Sequence, residues 1–239
     1  MTRIVNNCVA LVCLCLFWGQ SLRAADASHS EQIKWGNESV FNEEHNTLGL
    51  FSGVLGGQIV LAGGTSDDYS RWGRNAVCLS ENAGFALYED VLSKPLAYGA
   101  SITLSDGILC IGGRDSSQCY KDVFLVTMQQ GKLNVSEDWP PLPFPLSNAA
   151  GALLDNKVYL FGGRKSVSPS RLSDSFFVLD LSNKSRGWKE LPGYPGCVRE
   201  DAILVVQNNG VSPCLYLLGG QTETEEGLSS CLTDGYVYN

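Results

Sequence analysis

Gln58-Ile-Val-Leu-Ala-Gly63-Gly64 returns three more times along the chain in altered spelling. The other copies are Gly107-Ile-Leu-Cys-Ile-Gly112-Gly113, Lys157-Val-Tyr-Leu-Phe-Gly162-Gly163 and Cys214-Leu-Tyr-Leu-Leu-Gly219-Gly220. The first glycines of successive pairs stand 49, 50 and 57 residues apart. The longest interval contains Gln207-Asn-Asn-Gly-Val-Ser-Pro213, which reads as a lengthened hairpin loop. Each run is short and almost continuously apolar, the pattern of a strand covered on both faces. Each Gly-Gly ends that strand where the chain must turn sharply.

Outward from each pair comes a polar loop and then another strand. Clear cases are Asp122-Val-Phe-Leu-Val126, Ser175-Phe-Phe-Val-Leu-Asp180 and Asp234-Gly-Tyr-Val-Tyr238. A Trp and a proline-rich connection follow: Trp139-Pro-Pro-Leu-Pro143, then Trp188-Lys-Glu-Leu-Pro192. Ile33-Lys34-Trp35 carries a fragment of the same ending. These parts, at a period near 50, predict an all-β chain built as a kelch-type β-propeller. The Trp is expected to sit between neighbouring blades. The units are read around residues 33–95, 96–145, 146–196 and 197–239, with the last expected to be truncated. Four registered copies argue against an irregular β-sandwich. No window sustains a 3.6-residue period with caps, which argues against a helical fold.

The counts agree with this reading. Of 239 residues, 44% are hydrophobic and only 18% charged, a globular composition. Gly is high at 26 and Met low at 2, as suits turn-rich β structure. A net charge of −8 offers no basic surface for nucleic acid or anionic lipid. Arg3, an apolar run from Cys8 to Trp18 and Ala25-Asp26-Ala27 form a secretory signal pattern, so residues 1–27 are expected to be a cleaved leader. The run is too short to span a membrane. The mature chain is expected to be extracytoplasmic, secreted or periplasmic, without a membrane anchor. Three of the nine cysteines leave with the leader. Six remain, Cys78, Cys110, Cys119, Cys197, Cys214 and Cys231, and spacing does not choose among 15 pairings. Cys110, inside Ile108-Leu-Cys-Ile111, also reads as a buried thiol. Asn37, Asn134 and Asn183 open N-glycosylation sequons.

Several stretches resemble a known family, the cyclically permuted mutarotases of the N-acetylneuraminate epimerase (sialic acid mutarotase) group of kelch proteins. They are Leu96-Ala-Tyr-Gly-Ala-Ser-Ile-Thr-Leu-Ser-Asp-Gly-Ile-Leu-Cys-Ile-Gly-Gly113, Leu142-Pro-Phe-Pro-Leu-Ser-Asn-Ala-Ala-Gly-Ala-Leu-Leu154 and Trp188-Lys-Glu-Leu-Pro-Gly-Tyr-Pro-Gly196. The resemblance runs from about residue 33 to 239 and is weakest over 65–93. It implies a six-bladed propeller that interconverts sugar anomers, needs no cofactor or metal, and takes sialic acid or a related sugar. Six blades need roughly 300 residues, and about four are present here. An open propeller is expected to self-associate through uncovered strands and blade faces. The alternative is a non-catalytic secreted propeller that binds glycan or protein.

Site candidates come from counting back along the repeats. Tyr98 lies 14 residues before Gly112, and Asn148 lies 14 before Gly162. The matching place in the fourth unit falls on Arg199 or Glu200. These polar side chains in one slot read as substrate-binding groups at a channel mouth. Arg114 and Arg164 follow their Gly-Gly pairs directly, and a planar guanidinium fork suits a sugar carboxylate. Glu223, Glu225 and Glu226 lie in the loop after the fourth pair. The resemblance implies a Glu and an Arg just past a Gly-Gly. No Glu stands between Gly163 and Asp180, so Glu200 and Glu223 become the acid/base candidates. Other chemistries find no support. His29 and His45 are the sole histidines, too few for a paired-His copper centre or a Ser/His/Asp hydrolase, and no CxxC supports zinc.

Overall fold

The computed structural model describes residues 48–80, 84–224 and 226–239. All belong to one compact unit, Val40–Asn239. The expected leader, Ile33-Lys34-Trp35, both histidines, the Asn37 sequon and Glu225 lie outside the described residues.

Four antiparallel blades follow one another along the chain. The first is β1 (Phe51–Leu55), β2 (Gln58–Ala62), β3 (Ala76–Ser80) and β4 (Gly84–Tyr88), paired in that order. The second is β5 (Ala100–Thr103), β6 (Ile108–Ile111), β7 (Val123–Gln129) and β8 (Lys132–Ser136), again in order. The third has β9 (Ala150–Leu154) and β10 (Lys157–Phe161), then a side hairpin of β11 (Arg164–Ser166) and β12 (Arg171–Leu172). It is completed by β13 (Phe176–Asp180) and β14 (Lys189–Glu190). The fourth has β15 (Ile203–Asn208), β16 (Pro213–Leu218), a side hairpin of β17 (Gln221–Glu223) and β18 (Ser229–Cys231), and β19 (Gly235–Tyr238). The fold is the expected all-β propeller arrangement, with four blades. Among the described residues no helix is long and apolar enough to cross a membrane.

Each Gly-Gly run is the second strand of its blade, and the pleat explains its continuous apolar spelling. In β6, Ile108 and Cys110 face one way and Leu109 and Ile111 the other. The first two join a core with Phe51, Val60 and Ala62 of the first blade. The other two join a core with Val158, Leu160 and Phe177 of the third. A further core joins Phe161 and Phe176 of the third blade to Leu204, Leu215 and Leu217 of the fourth. Trp139 and Trp188 pack against the core between the second and third blades. The Trp188 indole N–H donates to the Pro140 carbonyl at 3.0 Å, tying the third blade to the connection that precedes it. The six cysteines among the described residues are free thiols; Cys197 and Cys231 are exposed and the rest buried, Cys110 and Cys214 completely. Burial pushes the Cys110 thiol pKa upward, which fits the reading of an inert core thiol.

Candidate functional site

A backbone ladder runs across the blades where the entry segment of each inner strand meets its neighbour. The Tyr98 N–H donates to Gly49 O at 2.7 Å, Asn148 N–H to Tyr98 O at 2.6 Å, and Asp201 N–H to Asn148 O at 3.0 Å. Gly49, Tyr98, Asn148 and Asp201 all have positive φ, from +53° to +64°. They are therefore equivalent positions, and left-handed backbone explains the polar and glycine choices at three of the four. The sequence count placed Tyr98 and Asn148 in this slot, but missed the fourth member by one or two residues. Asp201 occupies it, not Arg199 or Glu200. In the fourth blade β15 and β16 are six residues each against five for β9 and β10. The intervening loop is also longer, four residues (209–212) against two (155–156).

The residue before each slot bridges the residue after its Gly-Gly: Leu48 with Thr65, Ala97 with Arg114, Ser147 with Arg164, and Glu200 with Gln221. Arg114, Arg164 and Glu200 are thus brought to the same rim as the ladder. They line a cavity of about 330 Å³ with Tyr98, Asn148, Asp201, Tyr69 and Val167. A larger groove of about 570 Å³ lies among Leu92, Lys121, Trp139 and Pro141 and contains none of the sequence candidates.

Arg199 is a correction to the sequence reading. It stands two residues before the slot, where the first two connections have Leu96 and Leu146. All three carbonyls accept from a second glycine of the preceding blade, Gly64, Gly113 or Gly163, at 2.8–2.9 Å. Leu96, Leu146 and Arg199 are all buried, Arg199 at 0% exposure. Its guanidinium is spent on Asp234, at 2.6 and 2.8 Å, on Gly219 O and on the Tyr194 hydroxyl. A charged group takes an apolar slot because Asp234 and two tyrosine rings receive it. It does not line the cavity.

The remaining charges fall into two sets. Arg164 Nε donates to Glu200 Oε2 at 2.8 Å and its Nη2 to Glu200 Oε1, so both oxygens of Glu200 are taken. The same Nη2 stands 3.1 Å from Glu223, and Ser170 bridges the Arg164 guanidinium to Glu223. Bonding to Glu200 holds Arg164 more firmly charged than an ordinary arginine. Arg114 is different. Among the described residues it is in no ion pair, and the hydrogen bond of its guanidinium is a long 3.5 Å contact to Asp115 O. Its guanidinium lies 4.7 Å from the Tyr98 ring and 5.2 Å from the Trp72 ring. The rings hold the fork in place while leaving most of its donors open.

Asp201 Oδ1 accepts from the Asn148 amide at 2.8 Å. It is exposed by surface area, yet the surrounding groups strip enough water to raise its carboxyl pKa. Nearby Glu200 adds to the rise, while Arg164 and Arg114 oppose it. Burial, then the hydroxyl of Tyr69, raises the Tyr98 phenol and keeps it neutral. Asp201 and Tyr69 were not among the sequence candidates. Asp201 could have been found as an Asp/Asn-type residue suited to left-handed backbone. Tyr69 lies in the least repetitive stretch and carries no such mark. Among the described residues no cluster of three His, Cys, Asp or Glu side chains could hold a metal ion.

The family model described as N-acetylneuraminate epimerase matches residues 139–239. A Haemophilus influenzae (strain PittEE) N-acetylneuraminate epimerase is 31% identical over 104 residues, 44% of this chain and 25% of that protein. A Vibrio cholerae N-acetylneuraminate epimerase is 30% identical over 119 residues, 50% of this chain and 28% of that protein. A Vibrio cholerae kelch domain-containing protein is 32% identical over 101 residues, 42% and 25% of the two chains. The chain spans about a quarter of the length of these curated relatives. The solved structure of YjhT superposes with a TM-score of 0.62 at 14% identity, covering 80% of this chain and 68% of that one. The chain is a kelch-type β-propeller that resembles the N-acetylneuraminate epimerases, with the family match falling on residues 139–239.

Proposed function

We propose that this protein is a sialic acid mutarotase-like isomerase that speeds exchange between the α and β anomers of N-acetylneuraminate. The observation that carries the reading is the pairing of Arg114, stacked but free of any ion pair among the described residues, with carboxylates on the same cavity rim. The names of the relatives supply the sugar. The expected leader at residues 1–27 supports action outside the cytoplasm.

Mutarotation needs an anchor and a proton relay. The anomeric hydroxyl loses its proton to a base, the bond from the anomeric carbon to the ring oxygen breaks, and that oxygen takes up a proton. The open-chain ketone then recloses on its other face. Arg114 offers the open fork for the sugar carboxylate, which fixes which atoms meet the relay. Arg164 is committed to Glu200 and Glu223 and shapes the wall of the cavity. Fresh, anomerically pure N-acetylneuraminate should equilibrate faster by NMR with the purified protein than in buffer. Equal rates would end the mutarotase reading.

A further inference from the structure

We propose that Asp201 is the residue that takes and returns the proton in this cavity, in place of Glu200 or Glu223. The inference rests on the mutarotase reading and adds to it a catalytic residue. Two carboxylates line the cavity, Glu200 and Asp201, and Glu223 pairs with the cavity's Arg164 without lining it. Glu200 has both oxygens bonded to Arg164. Glu223 shares that guanidinium and accepts from Ser170. Glu200 therefore has no free oxygen for a sugar hydroxyl without first giving up its ion pair, and Glu223, whose contacts both fall on Oε1, does not line the cavity. Asp201 is in no ion pair among the described residues, and Oδ2 has no hydrogen-bond partner among them.

The backbone sets its direction. Asp201 holds left-handed φ of +53° and is bonded through its N–H to the carbonyl of Asn148. The equivalent Asn148 and Tyr98 side chains also line the cavity, so the slot aims side chains into it. The Asn148 amide donates to Oδ1, which leaves Oδ2 as the atom that meets substrate. The charged and titratable groups facing Asp201 are Glu200, Arg164 and Arg114, with the Tyr98 phenol beside them. Their net effect with partial burial is an upward shift, so its protonated form persists to higher pH than in an ordinary aspartate. A group that can hold a proton nearer neutrality can both accept the anomeric proton and donate one to the ring oxygen.

In one step Asp201 Oδ2 receives the anomeric proton as the ring C–O bond breaks. The same proton passes to the ring oxygen, so carboxylate and charge are restored at turnover without any co-reactant. Asp201→Asn keeps the Asn148 bond and tolerates left-handed backbone, so the variant should melt within a few degrees of wild type. Its kcat for N-acetylneuraminate anomer exchange, followed by NMR, should fall about 100-fold or more with KM little changed. The acidic limb of the wild-type profile should lie above the ordinary aspartate value of about 4 and vanish in Asp201→Asn. An active wild type with a fully active Asp201→Asn, or an acidic limb removed only by Glu200→Gln, would overturn this role alone. An inactive wild type would overturn the mutarotase reading and this role together.

Discussion

The first glycine of the first three pairs does two things at once. Gly63, Gly112 and Gly162 have φ of +72°, +63° and +67°. A side chain there would also drive into the carbonyl of Leu96, Leu146 or Arg199, the last at 2.5 Å. The pair therefore marks the place where the next blade's backbone comes closest, in addition to a turn. Gly112→Ala should combine left-handed strain of about 1–2 kcal/mol with about 1–3 kcal/mol of overpacking. Gly131→Ala, at φ +75° with nothing within 4 Å, should show the strain of about 1–2 kcal/mol alone. Urea midpoints compare the two, and equal losses would disprove the close-approach account. At the rim, Arg114→Lys keeps the charge but loses the fork and the stacking between Tyr98 and Trp72. It should raise KM for N-acetylneuraminate about tenfold with little change in kcat, about 1.4 kcal/mol of binding. Unchanged KM would remove Arg114 from the anchor role.

At the scale of elements, each connection between blades hooks back onto the blade before it through one residue. Two connections use leucine and the third uses Arg199 paired with Asp234. Removing one partner leaves the other without its match. The full cost for a buried pair is about 3–5 kcal/mol, but the Asp234 side chain is 37% exposed, so Asp234→Ala should cost about 2 kcal/mol. The double variant Arg199→Leu/Asp234→Ser copies the arrangement of Leu146 with Ser175 and should fall within about 1 kcal/mol of wild type. Chemical denaturation of the three proteins measures the difference, and a double variant no better than the single would refute the equivalence. The pH dependence has a defined sign. The hydrogen bond from Arg199 holds the Asp234 carboxyl below its usual 3.8. Its contribution is complete above that value and lost as pH falls through the lower folded-state value. Asp234→Asn should flatten this part of the acid unfolding curve.

Across the whole described unit, stability comes from three apolar cores, each shared by two blades. The fourth blade has a second face that no described blade covers. Val205, Tyr216 and Val237 lie opposite one another along its three strands. Val205 is 39% exposed and Val237 51%, while Leu109 and Leu125 on the corresponding face of the second blade are 0% and 7%. A continuous apolar sheet face of this kind promotes association. The 239-residue chain should therefore self-associate with rising concentration in analytical ultracentrifugation, and Val205→Lys/Val237→Lys should suppress this. A monomer at all concentrations would show that the face stays uncovered without cost.

The repeat, the all-β class and the paired glycines could be read directly from residue order, because a blade is a local unit. Its strands pair with neighbours a few residues away, and two-sided burial writes continuous apolar runs. Tyr98, Asn148, Arg114 and Arg164 were legible for the same reason, since each sits at a fixed offset from its own Gly-Gly. Asp201 and Arg199 were not. Extra residues in one hairpin shifted the count, and only the hydrogen bonds between blades show which residue shares the slot of Asn148. The tertiary structure also decided the state of the charges. Arg164 and Arg114 occupy equivalent places in sequence, yet one is locked between Glu200 and Glu223 and the other lies open between two rings. Such differences arise where side chains from separate blades converge, and their electrostatic partners lie 36 and 59 residues away from Arg164 in the chain.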